Sequence, residues 1–255
     1  MIKYLICWSL NHVPRKRLQR FAQLLTRTTS IFYIGNKVEC TICGRHYRKF
    51  LPYGYGKLRE NALCPHCLSL ERHRLIELYL KNHTEFYKGI SRPNVLHVAP
   101  EYCFIKKFEK LLGDKYTTAD LESPLAKVKM DVQNIPFPNN TFDVIFCNHI
   151  MEHVYDDLLA MRELYRVLKP GGWGIIQSPI NYGRTDTHED RNATPDERKK
   201  YFGQYDHLRE YGSDYSKRLE NCGFKVLEDY FARNLSPETV KRYSTSREII
   251  YLVKK

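Results

Sequence analysis

The run FDVIFCNHIMEHVYDDLLAMRELYRVLKPGGWGIIQSP, residues 142–179, decides the fold. It opens on an apolar stretch of strand length (142–148), passes into a helical pattern (155–168) and ends on a second apolar stretch (173–178). The middle part has acidic residues in its first turn and a basic last turn, and KPGG reads as a glycine cap closing it. Working outward, apolar runs at 94–99, 115–120 and 127–131 precede this unit, and 225–231 and 248–253 follow it. Helical patterns fall at 101–112, near 195–204 and at 214–222. Such alternation predicts an α/β architecture, a doubly wound, largely parallel sheet of seven strands with helices on both faces. Little helix separates the last two strands, which predicts a final hairpin and an antiparallel last strand. In such sheets ligands sit beyond the carboxyl ends of the strands, where the strand order reverses.

Those carboxyl ends carry the polar residues. YTTADL ends at Asp120, with Leu121 beside it, and a carboxylate there can accept both hydroxyls of a ribose. Asp131, at the next strand end, suits an exocyclic adenine amine, and Val132 offers a backbone amide and an apolar wall. Asn148 and His149 end the fourth strand. In sequence and spacing, MDVQNIPFPNNTFD and the run 142–179 resemble the central motifs of class I S-adenosylmethionine-dependent methyltransferases of the type 11 kind. The resemblance covers about residues 94–255 and implies a Rossmann-like sheet. It also implies that Asp120 binds the ribose, that Asp131 and Val132 bind the adenine, and that Asn148 and His149 line the methionine end. In that family the first strand normally ends in D/E-x-G-x-G-x-G. Here the matching stretch is HVAPEY: His97 stands at the acid, Ala99 and Pro100 at the glycine turn, and Glu101 opens the helix. S-adenosylmethionine has no phosphates and needs no cradle of glycine amides. Glu101 can meet its ammonium, and the turn reads as a modified cofactor site. HIMEHV reads as cofactor and acceptor lining rather than as a metal site.

The segment INYGRTDTHEDRNATPDERKKYFGQYDHLREYG is long and polar, as lids and acceptor pockets are. His149 and His153 on the fourth-strand loop, with His188, Asp206 and His207 in this segment, are candidate bases for deprotonating an acceptor. No serine or cysteine lies in a turn beside a suitable base, which disfavours a nucleophilic mechanism.

The N-terminal third has a different character. Residues 1–94 hold 17 Lys and Arg against 5 Asp and Glu, whereas the rest of the chain holds 24 of each, so the whole net charge of +12 sits before residue 95. CTICG (40–44) and CPHC (64–67) form two C-x2-C knuckles. Cys40, Cys43, Cys64 and Cys67 fit a closed tetrahedral zinc shell with no position left for substrate, which makes the metal structural. The remaining cysteines are scattered, as in a reduced cytoplasmic protein. PRKRLQRFAQLLTRTTSIF places Leu18, Phe21, Leu25 and Phe32 at helical spacing among basic residues. The stretch 14–34 is thus a basic amphipathic segment suited to an anionic membrane surface, to a partner or to the chain's own core. Between the knuckles, basic and aromatic residues interleave, which suits RNA or another anionic ligand. LERHRL opens a helix joining this module to the next. The expected organisation is a basic lead (1–36), a four-cysteine module with its connecting helix (37–93) and a methyltransferase domain (94–255), an organisation that resembles a bacterial subgroup whose first motif reads HVAPE.

Three functions compete on this reading. Methyl transfer to an O or N atom of a small-molecule or glycan-type acceptor fits the neutral C-terminal domain. Methylation of RNA fits the basic zinc module. A non-catalytic basic scaffold fits the glycine-free turn but leaves Asp120, Asp131 and the histidines unexplained.

Overall fold

The computed structural model describes residues 26–54, 58–89 and 92–255. Leu18, Phe21 and Leu25 of the expected basic helix lie outside them; Phe32 lies within and is exposed. The chain forms two compact units. One runs to Tyr87 and also takes Tyr102–Phe104 and Ala232–Glu248; the other takes Lys88–Glu101, Ile105–Phe231 and Ile249–Lys255.

In the first unit, β1 (Ile34–Glu39) pairs antiparallel with β2 (His46–Tyr47), and β3 (Leu51–Tyr53) with β4 (Arg59–Leu63). Each cysteine pair sits in the turn that follows a strand, 40–43 after β1 and 64–67 after β4. The two turns are built alike. Gly44 N–H donates to Cys40 O (2.8 Å) and Leu68 N–H to Cys64 O (2.9 Å), each four residues on and each at positive φ, 68° and 59°. Helix α1 (Glu71–His83) follows the second knuckle.

Arg74 of α1 is fully buried and holds this unit together. Its guanidinium donates to the carbonyls of Ser69 (2.8 Å), Ala62 (2.9 Å), Tyr243 (2.7 Å) and Ser244 (2.7 Å), and it stacks over Phe50 at 4.2 Å. Five planar donors on one side chain suit this convergence of backbone acceptors.

The second unit is a seven-stranded sheet. It contains β5 (Val95–Val98), β6 (Tyr116–Asp120), β7 (Val128–Lys129), β8 (Phe142–Asn148), β9 (Leu168–Gln177), β12 (Lys225–Asp229) and β13 (Ile250–Lys254). Their order is β12-β13-β9-β8-β5-β6-β7. Strands β5 to β9 are parallel, and β13 runs antiparallel to both β9 and β12. Helices α2 (Tyr102–Leu112) and α3 (Asp157–Val167) make the crossovers after β5 and β8. Both faces are covered, so β5 is buried at every position and reads as a continuous apolar run broken only by His97. The core gathers Leu96, Ala119, Ile145, Met161, Leu164 and Tyr215, among others. From β5 the chain steps outward through β6 and β7, then returns to β8 on the other side. The strand order therefore reverses between β5 and β8, and the crevice beyond Val98 and Asn148 is where a ligand is expected.

Two local expectations are corrected. The KPGG glycines do not cap α3, because β9 begins at Leu168 directly after the helix. They let β9 press against β8: a Cβ on Gly172 would come within 2.9 Å of Asp143 O, and Gly171 takes φ 78°. The last two strands pair antiparallel but are not a hairpin, since the chain between them leaves the sheet as Ala232–Glu248. The missed signal is SPET, a capped helix start: Ser236 Oγ accepts from Thr239 N–H (3.1 Å), with Pro237 in the first turn of the helix Pro237–Tyr243.

Replacing Arg74 by Ala removes a donor from four carbonyls, two of them in buried residues, leaves a cavity, and is expected to cost about 3 kcal/mol. Denaturant unfolding of Arg74→Ala, with Arg74→Lys showing only partial rescue, checks this.

Candidate active site

The turn after β5 is held by a chain of hydrogen bonds. Tyr116 Oη lies 2.7 Å from His97 Nδ1, His97 Nε2 lies 2.5 Å from Glu101 Oε2, and Asn148 Nδ2 donates to Glu101 Oε1 at 3.0 Å. A carboxylate only accepts, which fixes Asn148 with its amide nitrogen toward Glu101. Asn148 Oδ1 is then left buried without a hydrogen-bond partner among the described residues. His97, expected to touch cofactor, is fully buried and instead positions Glu101. Ala99 takes φ 46° and donates its N–H to Ala119 O (2.8 Å), so the turn keeps the left-handed backbone of a glycine turn without the glycine. His149 does the same at the end of β8, with φ 56° and its N–H on Gln177 O (2.7 Å).

A cavity of about 220 Å³ opens between the ends of these strands. Of the expected cofactor residues its wall contains Ala99, Asp120, Leu121, Asp131 and Val132; Val98, Met130, Ile150 and Val154 add apolar surface, and Gln133, His153 and Tyr155 also line it, with Gln133 and Tyr155 not foreseen. Pro100, Glu101, Asn148 and His149 cluster at the same strand ends without forming that wall. Asp120 Oδ1 accepts from the N–H groups of Glu122 (2.8 Å) and Ser123 (2.6 Å), while its Oδ2 makes no hydrogen bond among the described residues. Asp131 is engaged by Gln133, whose N–H and Nε2 both donate to Oδ1, at 2.9 and 3.2 Å. Gln133 Oε1 in turn accepts from Asp156 N–H (2.9 Å).

The loop after β8 meets the long polar segment. Glu152 is buried; Ser178 Oγ donates to its Oε2 (3.1 Å) and His149 Nδ1 lies 3.5 Å from its Oε1. Burial opposes ionisation of Glu152, but His149 and then His153 outweigh it and hold the carboxyl below its ordinary value. His153 Nδ1 sits 3.2 Å from Asp206 O, and its ring meets that of His207 edge to face at 4.7 Å. Burial lowers the His207 imidazole and favours its neutral form. His153, Asp206 and His207 are thus brought together, whereas His188 packs its ring on Phe202 instead. A second cavity of about 340 Å³ has Glu152, Tyr182, Phe202, His207 and Arg209 in its wall. Cys147 is buried and its thiol is pushed up by burial, then by Glu152 and Glu101, which makes it a poor nucleophile.

Residues that sequence reasoning passed over hold this loop in place. Arg209 is fully buried and donates to the carbonyls of Met151 (2.5 Å), Val154 (2.5 Å) and Tyr155 (3.0 Å). Tyr211 Oη donates to Asp157 (2.7 Å), which Arg218 also grips. The polar segment contains two short paired strands, β10 (His188–Glu189) and β11 (Arg209–Glu210), and helix α4 (Pro195–Phe202), followed by α5 (Tyr215–Glu220). Charge in the middle of a predicted loop gave the only hint.

In the first unit the four sulfurs of Cys40, Cys43, Cys64 and Cys67 lie within 4.8 Å of one another, Cys40–Cys67 at 3.4 Å and Cys43–Cys64 at 3.8 Å. Thiolates around one zinc, at about 2.3 Å from it, are roughly 3.8 Å apart. Hydrogen bonds from Cys43, Cys64 and Cys67 stabilise a thiolate at Cys40, and that interaction pushes the Cys43 and Cys64 thiols up. Full deprotonation of such a cluster requires a cation.

Residues 101–176 match the family model of the methyltransferase domain. Curated relatives include an uncharacterized methyltransferase of Schizosaccharomyces pombe, 30% identical over 34% of this chain and 32% of its own length. A ubiquinone/menaquinone biosynthesis C-methyltransferase of Escherichia coli is 34% identical over 26% of this chain and 34% of that protein. A demethylmenaquinone methyltransferase of Geobacillus is 44% identical over 20% and 23%. The chain therefore spans about a third or less of each of these relatives. Among solved structures, an S-adenosylmethionine-dependent methyltransferase from Mesorhizobium loti aligns over 70% of this chain and 97% of its own, with TM-score 0.49 and 11% identity. At that score the assignment of the fold rests on the strand order itself. The matched residues run from Glu101 through α2 to β9, and so include every strand end that builds the 220 Å³ cavity except that of β5.

Ala99 in the left-handed region costs roughly 1 kcal/mol, and glycine there would recover this while losing about as much to unfolded-chain freedom. Ala99→Gly is expected to leave Tm nearly unchanged. Ala99→Val, β-branched at positive φ, is expected to cost about 1–3 kcal/mol and to lower Tm by several degrees; differential scanning calorimetry of both variants checks the pair.

Proposed function

We propose that this chain is an S-adenosylmethionine-dependent methyltransferase that acts on an O or N atom of a small-molecule or glycan-type acceptor, with a structural zinc ion at the four cysteines. The observation that carries the cofactor reading is Asn148 Oδ1, a buried acceptor without a partner beside the Glu101 carboxylate. Two acceptors at a topological switch point suit an ammonium group, which the amino-acid end of S-adenosylmethionine supplies. The free Oδ2 of Asp120 suits a ribose hydroxyl, and Met130, Val132 and Ile150 give the cavity an apolar wall for a purine. When bound, the cofactor supplies an electrophilic methyl group on a sulfonium.

This chain's own part is to position and to deprotonate. His97 fixes Glu101, and Glu101 fixes Asn148, so the acceptors are set before a ligand arrives. The cavity beside Glu152 and His207 is of small-molecule size, and the part of the chain after residue 94 carries no net charge. Both favour a small acceptor. His153 and His207, held through their Nδ1 atoms, present imidazole nitrogens between the two cavities and can take a proton from the acceptor.

Isothermal titration with S-adenosylhomocysteine tests the cofactor half. Asp120→Asn keeps the turn that Oδ1 caps but loses the charge, and is expected to raise Kd about 10- to 100-fold, the loss of roughly 1.5–3 kcal/mol for a hydrogen bond to a charged group. Equal affinity in wild type and variant would contradict the site. For the zinc half, cobalt-substituted wild-type protein is expected to show the near-ultraviolet sulfur-to-cobalt band, and Cys40→Ser to show a weaker band and lower cobalt affinity.

A further inference from the structure

Methyl transfer, as described above, uses the histidines only as bases, but their setting is more specific than that. We propose that Glu152, His153 and His207 bind a divalent transition-metal cation, and that this ion takes a hydroxyl oxygen of the acceptor. The second half rests on the methyl-transfer reading; binding of the ion does not.

One carboxylate oxygen of Glu152 and one ring nitrogen each of His153 and His207 lie within 4.8 Å of one another. Ligand atoms on a single ion at about 2.0–2.2 Å are themselves roughly 3–4 Å apart, so small side-chain rotations close the site. Both imidazoles are held in the way metal-bound histidines usually are. His207 Nδ1 faces Phe202 O at 3.0 Å, and His153 Nδ1 faces Asp206 O at 3.2 Å. A carbonyl only accepts, so each Nδ1 carries the proton and each Nε2 keeps its lone pair. His207 is only 6% exposed, and its Nε2 is buried with no hydrogen-bond partner among the described residues. Edge-to-face packing of two rings does not explain that loss, because a buried nitrogen without a hydrogen bond is costly. A cation placed among the three groups satisfies it. The Glu152 carboxylate is aimed by Ser178 Oγ at 3.1 Å, which leaves further lone pairs for a metal. Asp206 Oδ2 lies 3.5 Å from His153 Nδ1, and Asp206 Oδ1 is itself buried without a partner, an outer carboxylate that raises the basicity of the ring.

Two imidazoles and one carboxylate suit zinc, iron, cobalt or nickel better than magnesium or calcium, and they leave coordination positions open. The site joins the two cavities, because His153 belongs to the wall of the smaller and Glu152 and His207 to that of the larger. An oxygen acceptor bound there meets a Lewis acid that lowers the pKa of its hydroxyl. The hydroxyl proton passes to water, the oxygen bonds to the methyl carbon, and the carbon–sulfur bond breaks with its electron pair kept on sulfur. Charge is conserved, a sulfonium becoming a thioether as the alkoxide becomes a methyl ether.

The test uses the full chain with the cysteine site filled by zinc, which cobalt does not readily displace. Cobalt(II) is titrated and followed in the visible spectrum. One further equivalent is expected, with weak d–d bands of nitrogen and oxygen ligation and no sulfur charge-transfer band. His207→Ala and the half-exposed His153→Asn are each expected to weaken that equivalent at least tenfold. No cobalt uptake by the zinc-loaded wild type, or uptake that neither variant weakens, overturns the proposal. The wild-type titration decides the case even if one variant fails to fold. If S-adenosylhomocysteine binds and cobalt does not, this inference falls and the cofactor reading stands; if cobalt binds and S-adenosylhomocysteine does not, the metal site stands and its acceptor role falls with the cofactor reading.

Discussion

The buried chain Tyr116–His97–Glu101–Asn148 is the constraint on which the rest of the site depends. It links β6, β5, the start of α2 and β8 by side-chain hydrogen bonds, at the place where the strand order reverses. In a glycine-rich turn the backbone itself approaches the ligand. Here the backbone still turns through a left-handed residue, Ala99, but the polar groups on offer are side chains, each fixed by the one before it. A phosphate needs many amides at close range, whereas an amino-acid moiety needs one or two acceptors for its ammonium and a few donors. The replacement of glycine by HVAPE is compatible with the second kind of ligand and poorly suited to the first.

Much of this was legible in the sequence. The seven apolar runs correspond to the seven strands of the sheet, and the four helical patterns to α2, α3, α4 and α5, because long periodic segments in a covered parallel sheet leave little ambiguity. Asp120, Asp131 and Val132 line one cavity, at the strand ends where a ligand is expected in such a sheet. Tertiary detail was not legible. No local pattern says that His97 faces Glu101 rather than a ligand, since a single histidine in an apolar strand looks the same either way. Nor does Arg74 or Arg209 announce itself: each is a basic residue among other basic residues, and only the fold gathers the carbonyls that make it a buried tie. The departure of Ala232–Glu248 from the sheet was missed because β12 and β13 pair with each other regardless of what lies between them.

The HIMEHV loop shows how one short stretch serves two cavities. Its Ile150, His153 and Val154 line the smaller one, while Glu152 lines the larger one beside the long polar segment. Three carbonyls of the loop, those of Met151, Val154 and Tyr155, are tied to Arg209. The long polar segment is therefore anchored to the loop it faces, and that anchor sets the place of His207. On the proposed reading, chemistry at this place depends on residues some fifty positions apart in sequence being held in one register.

A crystal structure of the protein with S-adenosylhomocysteine tests the central claim most directly. The account predicts the ribose on Asp120, the adenine against Val132 and the ammonium between Glu101 and Asn148 Oδ1, with the Tyr116–His97–Glu101 chain unchanged. Density for the ligand elsewhere, or a ligand-bound structure in which Asn148 Oδ1 remains without a partner, would contradict it.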